Sequence, residues 1–167
     1  TFGSLTVAAQ GGGCCSSPTR GVRGGSYNTQ TATIDYVTIA STGNATSFGS
    51  LTVARGPVGA CSTSTRGVFA GGYNTGGAYT STIDYITIAT TGNATSFGSL
   101  TTGWQGAVGG SSTTRGVFGA GYNTGDVVTD KIDYITIATT GNAVNFGNLA
   151  FANQSVGGSC NGNGGVQ

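Results

Sequence analysis

Short apolar runs, each bounded by glycine, threonine or asparagine, return at regular intervals along this chain. Residues 67–73 (GVFAGGY) form one such run, and residues 82–89 (TIDYITIA) form a longer one rich in β-branched and aromatic side chains; both patterns predict strands. Asn74, Thr75, Gly76 and Gly77 lie between them, a turn composition because Asn and Gly reach positive φ at low cost. Thr90, Thr91, Gly92 and Asn93 predict a second tight turn, leading into a third strand at 97–101 (FGSLT). Residues 58–61 (VGAC) supply a fourth strand, made of small residues. No window carries the 3.6-residue apolar stripe of a helix. In the longer run Ile83 and Tyr85 point to one side, while Ile86 and Ile88 point to the other. A strand apolar on both sides must be covered on both sides.

These elements repeat. Phe48, Phe97 and Phe146 stand 49 residues apart, as do Asp84 and Asp133, and Arg66 and Arg115. The first unit is three residues shorter, and the difference falls between Tyr27 and Asp35, where a loop tolerates it. The chain is therefore a single repeat array, divided into unit one (1–47), unit two (48–96), unit three (97–145) and a partial unit (146–167). Four short strands per unit, sandwiched between neighbours, predict an all-β β-propeller of about three and a half blades, the small-residue strand nearest the axis. A parallel β-solenoid is the alternative architecture. Propellers close with about four to eight blades, so three complete hairpins imply either the rest of a longer chain or other subunits of an assembly as partners.

The sequence GVFAGGY with its paired glycines, followed by IDYITI, by Phe97 with Leu100, and by a basic residue as at Arg55, resembles the kelch motif. That resemblance implies four-stranded blades and covers all three units. Phe97 stands where that motif usually has Trp, and Trp104 occupies the place of Arg55. The regular TIDYxTIATTGNA and FGSLT phrases also resemble kelch-like repeat arrays in fibre or appendage proteins of marine and cyanobacterial phages. The second resemblance implies a structural role on a virion.

Composition narrows the function further. Charged residues are 7% of the chain and the net charge is +1, far from the roughly 25% charge of ordinary domains. Such a surface has no electrostatic hold on nucleic acid or on an anionic membrane. His and Met are absent, and all five acids are Asp, which removes the commonest general base and metal ligand. Some kelch-type propellers resemble copper oxidases, and those need histidine. The expectation is a non-enzyme with no cofactor and no metal: a structural or adhesive module of a virion or extracellular surface appendage. The alternatives are a glycan-binding, lectin-like propeller and, less favoured, an intracellular kelch-type scaffold for protein interactions.

Three sets of residues are candidates for more than packing. Arg20, Arg66 and Arg115 recur with Asp35, Asp84 and Asp133, and in so uncharged a chain they are expected to form structural ion pairs or clamps on backbone carbonyls. Tyr27-Asn28, Tyr73-Asn74 and Tyr122-Asn123 put an aromatic beside an amide once per unit, which suits repeated weak contacts to cell-surface polysaccharide. Asp126 and Asp130 could offer oxygens to Ca²⁺, although a solvated loop is the simpler expectation. Asn44, Asn93 and Asn153 fit the N-glycosylation pattern, which Asn142 in the third unit lacks. Cys15 and Cys61 align with Gly110 and Ser159, so the position asks for small volume and favours buried thiols.

Overall fold

The computed structural model describes residues 2–154 and residue 158. The described residues contain no helix, and every strand pair among them is antiparallel. Three four-stranded sheets succeed one another along the chain. The first comprises Gly13–Ser16, Arg20–Gly24, Thr33–Thr38 and Thr46–Ser50; the second, Gly59–Ser62, Arg66–Ala70, Thr82–Thr87 and Thr95–Ser99. The third comprises Val108–Ser111, Arg115–Gly119, Lys131–Thr136 and Val144–Asn148. In each sheet the strands lie side by side in chain order, a simple meander. The sheets run out of step with the phenylalanine phrases, since the strand that carries Phe97 completes the second sheet.

The second strand of the middle sheet stops at Ala70, short of the expected Tyr73. Gly71 and Gly72 follow with φ of 70° and 112°, a conformation that costs other residues strain. A Cβ on Gly72 would also come within 2.9 Å of Val58. The chain therefore swings out of the sheet, and Tyr73–Asn74 pairs with Arg55–Gly56 instead. In the third unit Tyr122–Asn123 pairs with Trp104–Gln105 in the same way. The predicted turn follows, with Gly77 N donating to Asn74 O at 3.1 Å.

Each fourth strand carries one extra residue opposite the third, a bulge at Phe48, Phe97 and Phe146. Bulges re-aim a side chain. Here each phenylalanine meets the edge of a tyrosine on the third strand, Tyr36, Tyr85 and Tyr134 respectively, with ring centroids 5.9–6.0 Å apart.

The sheets stack face to face, and the core lies between them. Val22, Ile34, Phe48 and Leu51 pack against Phe69, Ile86 and Ile88 of the second sheet. On its other side the second sheet presents Val68 and Ile83 to Phe118, Ile135 and Ile137 of the third, with Tyr85 at the margin. The middle third strand is thus apolar and covered on both faces, as its sequence predicts. Burying an Ile or Phe side chain is worth about 1.5–3 kcal/mol, so most of the cohesion lies between units.

The first strands approach one another closely. Ser62 Oγ donates to Ser16 O at 3.1 Å and Ser111 Oγ to Ser62 O at 2.8 Å. A Cβ on Gly109 would lie 2.0 Å from Ala60 O, which explains the small residues here. Cys15 and Cys61 are buried, with their sulfurs set over Gly67 and Gly116 of the next sheet. Cys160, Ser155, Ser159 and the rest of 159–167 lie outside the described residues.

Outer edges are joined by the turn phrase TGNA. Gly92 N donates to Phe48 O and Ala94 N to Ser50 O, both at 2.8 Å, while Ser50 N donates to Asn93 Oδ1 at 3.1 Å. Gly141, Asn142 and Ala143 bind Phe97 and Ser99 in the same manner, and Gly43, Asn44 and Ala45 bind the segment at Phe2 and Ser4. The asparagines of the glycosylation pattern at 44 and 93 therefore clasp neighbouring strands.

Candidate functional site

The repeated arginines and aspartates do not face one another. The guanidinium carbons of Arg20, Arg66 and Arg115 sit 4.5–4.6 Å from the ring centroids of Tyr36, Tyr85 and Tyr134, in cation–π contact. From that perch Arg20 Nη1 donates to Ile88 O of the next sheet at 2.9 Å. Arg66 Nη1 donates to Ile137 O at 2.7 Å and Ala138 O at 2.9 Å. The contacts of Arg20 and Arg66 fit the carbonyl clamp and not the ion pair with aspartate. Arg115 keeps its tyrosine but is exposed.

Asp35, Asp84 and Asp133 are buried on the opposite face of the third strands. Asp84 accepts from Thr52 N at 3.0 Å and Thr52 Oγ1 at 2.7 Å, and pairs with Arg55 Nη1 at 2.8 Å. Arg55 is itself fully buried, and donates further to Gly71 O at 2.7 Å, Val53 O at 3.2 Å and Phe69 O at 3.3 Å. Asp35 accepts from Thr6 Oγ1 and lies 3.7 Å from Arg23 Nη1. Asp133 accepts from Thr101 N at 2.8 Å and Thr101 Oγ1 at 2.9 Å. Among the described residues no cation pairs with it, because Trp104 fills the place of Arg55. The cation partners were the part missed from sequence: Arg55 and Arg23 recur in no other unit, so periodicity gave no signal for them.

The tyrosine-asparagine rim is also arranged differently from the expectation. Asn74 Oδ1 accepts from Gly76 N and Ala78 N, both at 3.0 Å. Asn28 Oδ1 accepts from Ser26 Oγ at 2.6 Å. The Asn123 amide, oriented with its nitrogen toward the carbonyls, donates to Val127 O and Thr124 O at 3.1 Å. All three amides are engaged by their own loops, whereas Tyr27 is 49% exposed. Asp126 accepts from Tyr79 Oη across neighbouring loops.

At the same end of the molecule a cavity of about 340 Å³ opens between connectors of successive units. Tyr27 and Tyr122 line it, with Pro57 and three glutamines, Gln10, Gln105 and Gln154. The glutamines occupy one repeat position, held by Gly56 in the second unit. Gln105 Nε2 reaches Tyr79 Oη at 3.5 Å, while its Oε1 is buried with no hydrogen-bond partner among the described residues.

A second hollow lies on the open face of the first sheet, lined in part by Leu5, Cys14, Arg23 and Val37. Cys14 is exposed as a residue, but its thiol borders this apolar hollow. Burial pushes the thiol up from its ordinary value, and the Arg23 guanidinium partly opposes that.

No family model and no curated protein matches this chain.

Proposed function

We propose that the chain is a non-enzymatic structural and adhesive module, built as successive kelch-like blades of a β-propeller and displayed on a virion or cell-surface appendage. One observation supports it above others: among the described residues, the faces buried between units are left uncovered at the two ends of the stack. Phe146 is 53% exposed where Phe97 is 3% exposed, and Ile39 is 49% exposed where Ile88 is fully buried. Arg115 repeats Arg66, but among the described residues no carbonyl accepts from its guanidinium. Large apolar faces of this kind mark interaction surfaces, and the occupant that fits them is a further unit of the same design, from other subunits or from the rest of a longer chain. The antiparallel meanders favour blades over the coils of a parallel solenoid.

Insertion of successive copies of residues 59–107 after residue 107 tests the architecture. In a propeller, stability rises with each unit and then jumps once the ring closes, at a total of about four to eight sheets. Equal increments with no jump would overturn the ring and leave an open array. Immunogold labelling of intact particles or cells with an antibody to the chain tests the display; a purely interior signal would overturn it.

A second reading, glycan binding, is favoured by the exposed Tyr27 and by the glutamine-lined cavity. It acts through neutral hydrogen bonding, which suits a chain so poor in charge.

A further inference from the structure

We propose that the cavity between Tyr27 and Tyr122 is a saccharide-binding site whose polar contacts come from Gln105, Gln10 and Gln154, and not from the asparagines of the rim. This rests on the glycan-binding reading and gives it a location. The volume, about 340 Å³, lies in the range of small-ligand pockets.

The chemistry of the lining decides the ligand class. Gln105 has a buried amide oxygen without a partner. Turning that amide over exchanges its donor and acceptor ends. Buried polar groups without partners are uncommon and costly. A hydroxyl, which both donates and accepts, satisfies either orientation. Tyr27 and Tyr122 add aromatic surface on which the C–H face of a pyranose can rest, with their phenol groups at its rim. Among the described residues no Asp, Lys or Arg lines the cavity, so none of them selects an anionic or cationic ligand. A neutral, polyhydroxylated ring is the ligand that uses every one of these groups.

The position of the cavity gives a readout. Trp104, the chain's single tryptophan, is fully buried and adjoins Gln105. A ligand that engages Gln105 alters the packing beside the indole, so its fluorescence reports occupancy.

The test titrates the whole chain with tetrasaccharides of glucose, galactose, mannose and N-acetylglucosamine, following Trp104 emission and, independently, heat of binding. At least one is expected to bind saturably. Gln105→Leu and Tyr27→Ala should each weaken that binding by about tenfold, equivalent to about 1.4 kcal/mol. Asn74→Ala should leave it unchanged. Tyr27→Ala guards against a folding artefact, since the half-exposed ring contributes little to the core, and an unchanged unfolding midpoint confirms it. Saturable binding that survives both substitutions would overturn this site while the glycan reading stands. Absence of binding by all four sugars in both measurements would overturn the two together.

Discussion

The second and third units place the same buried aspartate in two different electrostatic settings. Asp84 is held by Thr52 and by Arg55, whose guanidinium also ties down three backbone carbonyls. Asp133 has the same threonine contact, but Trp104 stands at the repeat position of the cation. The first unit takes a third course, with Arg23 entering from the second strand at the place where the other units carry Phe69 and Phe118. What all three share is the threonine, donating from the connector that enters the sheet. The aspartate's common task is therefore to anchor that connector to the third strand, and the arginine is an addition that one unit does without. A buried ion pair contributes less to net stability than its Coulomb attraction suggests, because both partners lose their water. That is why Trp104, with its large apolar surface, can stand where Arg55 stands.

Breaking the pair in the second unit should have the largest effect. Arg55→Ala strips Asp84 of its cation and three carbonyls of their donor, and is expected to cost about 3–5 kcal/mol, read from denaturant unfolding. A loss below 1 kcal/mol would mean that the threonine alone suffices there, as it does for Asp133.

The carboxylates themselves give the next contrast. Asp84→Asn should destabilise by about 3 kcal/mol because Arg55 is left buried and unpaired. Asp133→Asn keeps an acceptor for Thr101 and strands no cation, so about 1–2 kcal/mol is expected. Equal losses would show that Arg55 adds nothing to the anchoring.

The carbonyl clamps offer a smaller comparison. Arg66→Ala removes a cation–π contact and two bonds to the third sheet, and should cost about 1–2 kcal/mol. Arg115→Ala removes only ring contacts, to Tyr134 and Phe146, at an exposed site, for about 0.5–1 kcal/mol. If the two variants unfold at the same midpoint, the interunit bonds of Arg66 contribute nothing.

The smallest effect is chemical. With its thiol pushed up by burial, Cys14 should be alkylated by iodoacetamide more slowly than a small free thiol at neutral pH. The rate should climb to a midpoint above the ordinary thiol value as the pH rises. Because the folded state holds the thiol proton more tightly than the unfolded chain, Cys14 favours folding below the unfolded pKa and loses that contribution as pH rises through the folded one. A midpoint at or below the ordinary value would place the sulfur in open solvent.

Much of the architecture was legible beforehand. The period of 49, the positions of Ile83 and Ile86, and the small residues at 59–62 placed the strands, the two-sided burial and the close approach of the first strands. The boundary at Ala70 was not legible, because GVFAGGY reads as one apolar run until the paired glycines are seen to turn it out of the sheet. The candidate sites were legible only as residue types. Arg66 and Asp84 recur together in sequence, yet they lie on opposite faces of their sheet, so their shared periodicity reflected a shared role in joining units and not contact between them.

By itself the sequence determined what is local and repeated: strand position, turn chemistry, apolar alternation and the number of equivalent units, since each depends on neighbours a few residues away. Only the tertiary structure decided which side chains meet across units. Arg55 reaches Asp84 over 29 residues and Arg66 reaches Ile137 over 71, and such partners follow from how the sheets stack and not from any spacing along the chain. The cavity at Gln105 belongs to the same class, because its walls come from connectors far apart in sequence that the stacking brings to one end.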